Sequence, residues 1–458
     1  QADVFMFSAD WDIGDLTLST ITSNLQYDKF HVLDPDASAL AVFSAERVEF
    51  FDQTAQEIRL SSPTDQTFSW MVGAYYQQHD LDSSIPIYAA AGAGFQGTVL
   101  EDSEWNSLFF SSTYNISDTL RFNFGARYQD VRKEGQFLTS VAFLPPGAQA
   151  PGAEFPAWTQ TGTTPLLEES DDTLPEIGLQ WDMNDDVMLY AKYSEAFKAG
   201  GFVISPAPGG RLPPRLTFKP ERADGIELGL KSFLADGRVQ LNIALYDTDY
   251  EDLQVTVFDD TTSVFITTNA AEANTQGIEW DGRWAVTDNF TLGFSGSLGE
   301  ATYSNFPGAD QCNSKLAKEF ALANPGVACT RDLSGTDLPH TPDWTMVLTP
   351  QWNFNLGANL VGYVSGSVLF SDGYDIAGEL DPLSRIDSFE RVDLRFAIQP
   401  ADGNWEVAIY GRDITDEQVF IGAGAIDFQS RTLAVDYDGG GGTPSRGARY
   451  GVQLRYFF

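Results

Sequence analysis

The chain has 458 residues, 43% of them hydrophobic and 13% aromatic, and carries a formal net charge of -38. So acidic a balance excludes nucleic acid as a partner, because phosphate binding leaves a basic footprint. A mean hydropathy of -0.20, with no apolar run near the roughly 18 residues that a membrane helix needs, excludes helical spans; it leaves a membrane barrel open, since alternating strands cancel in the average.

Alternation begins at once, with a first strand near Val4 to Trp11. Short turn signals then recur along the chain: Asp12-Ile13-Gly14-Asp15, Pro63-Thr64-Asp65, Ser117-Asp118-Thr119, Asn184-Asp185-Asp186, Ala235-Asp236-Gly237, Thr287-Asp288-Asn289, Asn353-Phe354-Asn355 and Asp402-Gly403-Asn404. Each lies between alternating segments, the pattern of hairpins. In the clearest one, Ile226, Leu228 and Leu230 run up to Asp236-Gly237, and Val239, Leu241, Ile243 and Leu245 run back. Glu227, Lys231, Gln240 and Asn242 occupy its opposite face.

Between hairpins lie longer stretches rich in Gly, Pro, Asp and Ser, around Leu138 to Asp171, Asn305 to Leu338 and Asp427 to Arg446. Tight turns alternating strictly with long loops give the two ends of an outer-membrane barrel, short at the periplasm and long outside. The expected fold is therefore all-β, a transmembrane antiparallel up-and-down barrel with about 17 strands in this chain. An odd count directs the first strand downward, so an odd number of further strands is expected before Gln1, giving ~18 or ~22 in all. Residues 1–458 read as the carboxyl-terminal part of one barrel domain, with no signal peptide.

Cys312 and Cys329 bracket a single polar segment. In an oxidising compartment they are expected to close that loop, worth ~3 kcal/mol against the unfolded state. At the other extreme of regularity, Tyr450, Val452, Leu454, Tyr456 and Phe458 share one face of the last strand and Gly451, Gln453, Arg455 and Phe457 the other. Nothing follows in the chain to cover the apolar stripe, so lipid is its expected cover, and the stripe ending on an aromatic residue reads as the barrel-assembly signal.

No catalytic, cofactor or metal constellation emerges. His31, His79 and His340 are far apart and lack metal-ligand spacing. Asp247, Asp249, Glu251 and Asp252, placed just beyond a strand, read as solvated acidic residues or at most a divalent-cation contact near lipopolysaccharide. Asp436, Asp438 and Gly439 to Gly442 read as a loop, with no Lys-Ser or Lys-Thr to frame a phosphate.

Leu189 to Phe202, reading LYAKYSEAFKAGGF, resembles the "YxxYSxxFKxGGF" signature of TonB-dependent outer-membrane receptors. Lys219-Pro220-Glu221, Ile226 to Ser232, Asp236-Gly237-Arg238 and Tyr246 to Gln254 follow in that family's order and spacing. Asn269-Ala270, Gln276 to Glu279, Leu338 to Trp344 and Tyr410 to Glu417 extend the likeness, the last resembling "GxNLTDE". The resemblance implies a barrel of 22 strands plugged by an amino-terminal domain whose exposed box contacts TonB; plug and box are absent from this sequence. It further implies import of a scarce solute, iron chelates first and carbohydrates or aromatic compounds next. The partners it implies are outer-membrane lipid and lipopolysaccharide, the TonB complex and the cargo; a surface lipoprotein or other envelope partner is a further expectation. A passive diffusion porin of ~18 strands is the alternative. The motif residues Glu227, Lys231 and Asn242 are expected to face the lumen, and Gly200-Gly201 to end a strand where the chain turns into a loop.

Overall fold

A computed structural model describes residues 2–33, 43–89, 92–143, 158–205, 212–259, 264–309, 312, 314–324, 327, 329–378, 380, 382–425 and 440–457. One antiparallel sheet of 17 strands dominates it. The first eight strands are β1 (Ala2–Ile13), β2 (Leu16–Leu33), β3 (Phe43–Ser61), β4 (Phe68–Ala89), β5 (Ala93–Asn115), β6 (Leu120–Phe143), β7 (Thr159–Asn184) and β8 (Val187–Lys198). They are followed by β9 (Glu221–Leu234), β10 (Val239–Asp259), β11 (Val264–Ala285), β12 (Phe290–Asn305), β13 (Trp344–Asn355), β14 (Leu360–Ser371), β15 (Phe389–Pro400), β16 (Trp405–Arg412) and β17 (Arg449–Tyr456). Every strand pairs with its neighbour in sequence, so the up-and-down topology and the strand number match the expectation from the turns. Among the described residues β1 and β17 do not pair with each other, and both are largely exposed on both faces.

The register explains why these residues form strands and which face each turns outward. One continuous row of paired residues crosses β4 to β13: Phe68, Tyr114, Phe122, Leu179, Ala191, Leu228, Leu245, Ile278, Leu298 and Trp344. All are apolar or aromatic, and among the described residues no second layer covers them; Leu228 is 50% and Leu298 54% exposed. The next row, one residue along, reads Ser69, Thr113, Asn123, Gly178, Lys192, Glu227, Tyr246, Gly277 and Gly299. Polar and small residues thus take the inward face, where Glu227 and Lys231 lie as the alternation anticipates. An uncovered apolar band of this width is unfavourable in water by ~25 cal/mol per Å² and is stable against hydrocarbon.

Turn chemistry fixes one end of the sheet. At the β9–β10 hairpin Ala235, Asp236 and Gly237 all adopt left-handed backbone (φ 54, 55 and 78), which Asp and Gly tolerate at low cost. At the opposite end the connections are longer, with two exceptions to strict alternation. β4 joins β5, and β10 joins β11, through only 90–92 and 260–263. The strands there are themselves long, 22 and 23 residues for β4 and β5, well beyond the 9–11 that cross a bilayer. Their tips continue as ribbon where other hairpins change to loop. The β12–β13 connection also contains a helix, α1 (Ser314–Ala323), which alternation did not disclose.

Candidate functional site

The loop-bearing end is filled from inside by the connection between β8 and β9, of which residues 199–205 and 212–220 are described. Gly201–Phe202 pairs with Thr217–Phe218 as a short ribbon, continued by the Val203 N–H donating to the Leu216 carbonyl at 2.8 Å. Side chains of this inner ribbon serve two walls. Phe202, with Ile204 and Leu216, packs on Val99, Phe137 and Leu166 of β5, β6 and β7. Val203, with Phe218, joins Val255, Val257, Ile266 and Ala273 of β10 and β11 and Tyr303, Phe306 and Leu333 beyond. The ribbon is thus wedged between two stretches of sheet.

The Gly200-Gly201 pair belongs to this packing. Neither residue has positive φ, so turning is not what requires glycine; close approach is. A Cβ at Gly200 would come within 2.4 Å of the Phe218 carbonyl oxygen and 2.7 Å of Glu168 Oε1, and one at Gly201 within 2.8 Å of the Phe218 ring. Gly200→Ala is expected to weaken ribbon docking by about 1–3 kcal/mol, read as faster protease cleavage between 199 and 220; unchanged cleavage would contradict the close-approach argument.

Charged networks line the inward face, two of them built from several strands. On β4 to β6, Glu101 accepts from Ser103 Oγ at 2.7 Å and lies 3.3 Å from His79 Nε2 and 3.8 Å from Lys133 Nζ. Near the last strand, Arg395 donates to Tyr363 Oη (2.9 Å), Gln453 Oε1 (3.0 Å) and Glu406 Oε1 (2.6 Å), and Tyr363 donates to Glu406 Oε2 at 3.0 Å. This network ties β14 to β17. Sequence reading did not single it out, although Tyr363, Arg395, Glu406 and Gln453 all fall on inward positions of their strands.

The remaining sequence candidates lie apart. Cys312 and Cys329 are joined in a disulfide spanning 17 positions, with Cα atoms 6.0 Å apart, in the β12–β13 connection that carries α1. Tyr450, Val452, Leu454 and Tyr456 face outward beside Gly411, Ile409, Val407 and Trp405; Phe458 is outside the described residues. So are Asp436, Asp438 and Gly439; Gly440–Pro444 pairs with Phe420–Ala425. The carboxylates at 247–252 lie within β10, not beyond it. Asn274 Nδ2 donates to both Asp247 (2.8 Å) and Asp249 (2.9 Å), and Asp252 sits at a bulge with φ 52. Of the histidines, His31 is exposed on β2, His79 is in the Glu101 cluster, and the His340 ring lies 6.3 Å from that of Tyr374. Among the described residues no group of three or more His, Cys, Asp or Glu is arranged to hold a metal ion.

The motif that resembles "GxNLTDE" anchors a loop root. Asp413, 3% exposed, accepts from the Glu417 N–H at 3.2 Å, and Asp416 accepts from the Ala448 N–H at 2.8 Å, drawing the start of β17 to the end of β16. In the β14–β15 loop, Ser388 Oγ–H and the Gly373 N–H donate to Asp372 and hold its carboxyl below the usual range.

Comparison with known proteins agrees with this geometry. Residues 1–414 match the family model described as "TonB dependent receptor-like, beta-barrel". The pesticin receptor of Yersinia pestis is 21% identical over 256 residues, 56% of this chain and 35% of that protein, so the chain matches about a third of the length of this curated relative. The sheet superposes on the ferric yersiniabactin uptake receptor FyuA from Yersinia pestis with a TM-score of 0.77 at 14% identity, over 100% of this chain and 61% of that one. On the siderophore receptor PiuA from Acinetobacter baumannii the TM-score is 0.69 at 14% identity, over 99% of this chain and 64% of that one. By the family match and the uncovered apolar row, this chain belongs to the TonB-dependent receptor β-barrel family and is an integral protein of the outer membrane.

Proposed function

We propose that the chain is the wall of a receptor that imports a scarce solute, a ferric chelate first among the candidates, with energy delivered by TonB. The family match over residues 1–414 carries this reading; the printed functions of FyuA and PiuA, uptake of ferric yersiniabactin and siderophore reception, favour iron chelates as the cargo class. The inward networks and the inner ribbon supply a polar, partly filled lumen of the kind that a gated importer needs and a wide diffusion pore does not.

The proposal includes further chain, with a plug and additional strands bringing the barrel to about 22. That β1 and β17 do not pair with each other among the described residues supports it, since an open edge in hydrocarbon leaves backbone groups unsatisfied at several kcal/mol each. Lipid and lipopolysaccharide would cover the outward rows, TonB would engage the plug, and a surface lipoprotein is a further candidate partner at the outer loops.

Uptake of radiolabelled iron by cells with and without the intact gene, grown in iron-poor medium, tests the reading. The expected result is saturable uptake that disappears on deletion and on collapse of the proton gradient. Flux that rises linearly with solute concentration and ignores the gradient would identify a porin instead.

A further inference from the structure

The residues that hold the inner ribbon come from a neighbouring hairpin. Gln254, just past the bulge of β10, donates from Nε2 to the Ala199 carbonyl (3.0 Å) and the Lys219 carbonyl (3.1 Å), bridging both roots of the ribbon. Its own N–H donates to Glu221 Oε2 at 2.8 Å. Asn269 on β11 accepts from the Lys219 N–H at 2.7 Å and donates to the Lys219 and Asp252 carbonyls, both at 2.8 Å. One side-chain amide thus closes on both backbone groups of Lys219 while also satisfying the carbonyl of the bulge residue. Arg215 of the ribbon adds a bond to Thr268 Oγ1.

A movable lid is built with few buried contacts and exposed backbone bonds. This segment has the opposite construction. Its apolar side chains are buried against two walls, Val203 is 4% and Phe202 8% exposed, a Cβ would meet backbone at Gly200 and the Phe218 ring at Gly201, and its root carbonyls are held by side chains from β10 and β11. We infer that the inner ribbon is a fixed part of the outer mouth, and that Asn269 and Gln254 are the positioning residues that lock it there. Resting on the import reading, this leaves whatever opening import requires to other segments. The mouth then has one immobile side, formed by β5 to β7, the ribbon, and β10 to β11.

The test uses a thiol reporter and needs neither cargo nor TonB, so it stands or falls separately from the import reading. Cys312 and Cys329 are joined to each other, so once any cysteine elsewhere in the full receptor is replaced by serine an introduced cysteine is the free thiol that reports. Val203→Cys, a change of similar bulk, places it inside the packed ribbon; Asp387→Cys places a second on an exposed loop. In intact cells expressing the full receptor, a membrane-impermeant maleimide should label position 203 at least about tenfold more slowly than position 387. Adding Asn269→Ala, or Gln254→Ala where the first variant fails to reach the membrane, should raise labelling at 203 roughly tenfold. Asn274→Ala is the control, because it truncates the same residue type on the same strand but bonds Asp247 and Asp249 instead of the ribbon. Labelling at 203 as fast as at 387 in the otherwise native protein would overturn the fixed ribbon. An effect of Asn269→Ala and Gln254→Ala no larger than that of Asn274→Ala would overturn their positioning role.

Discussion

Leu228→Arg is expected to cost about 2–4 kcal/mol of folding free energy in a bilayer, the penalty for a cation on the lipid face near the midplane of a membrane barrel. Leu228 lies near the middle of the uncovered row, between Ala191 and Leu245. Thr113→Arg supplies the comparison, since Thr113 occupies the adjacent inward row beside Ser69 and Asn123. There the guanidinium meets polar neighbours, and the change should stay below about 1 kcal/mol. Denaturant titration of each variant folded into lipid vesicles gives both numbers. Equal costs at the two positions would mean that the rows do not face different solvents.

Removing the carboxylate of Glu406 is expected to be still more damaging, at about 3–5 kcal/mol, because it strands a half-buried cation. Glu406 is 6% exposed and takes hydrogen bonds from Arg395 and Tyr363; Arg395 also reaches Gln453 on β17. With Ala at 406 the guanidinium loses its charged partner, and the strand pairs β14–β15 and β16–β17 lose their inward link. Replacing Arg395 and Glu406 together by Met and Leu should recover most of the loss, since an apolar pair of similar volume leaves no orphan charge. The temperature at which the folded barrel loses its compact gel mobility would report both effects. A Glu406→Ala variant with native mobility and stability would show that the network is ornamental.

The outward rows were legible because side-chain direction in a strand has a period of two and lipid tolerates no polar interruption. The run Ile226, Leu228, Leu230 and its partner Val239 to Leu245 could be assigned without coordinates, and the Asp236-Gly237 turn fixed their register. The same arithmetic fails past Asp252. There the bulge shifts the register between Tyr250 and Leu253, and Val255 and Val257 turn inward although they share odd numbering with the outward Leu245. The ribbon was equally hidden, because its contacts join Phe202 to Val99 and Val203 to Ile266, pairs far apart in sequence that no local pattern encodes. Gln254 and Asn269 stand within the family-like motifs, yet their work is done on backbone carbonyls of another loop, which residue identity alone does not reveal. Asp247 and Asp249 looked like a loop cluster because acidic residues are scarce in buried strands; β10 extends beyond the apolar band, so its outer end is free to carry them.

The central claim is that hydrocarbon covers the outward rows, and spin-label accessibility along one strand tests it most directly. Single labels at Ile226, Glu227, Leu228, Gly229 and Leu230, read in lipid vesicles with oxygen as the apolar relaxing agent and a nickel chelate as the polar one, sample both faces of β9. The account predicts that oxygen dominates at 226, 228 and 230 and falls sharply at 227 and 229. Labels at 226, 228 and 230 that meet the nickel chelate as freely as an exposed loop does, or five positions with no alternation, would contradict it.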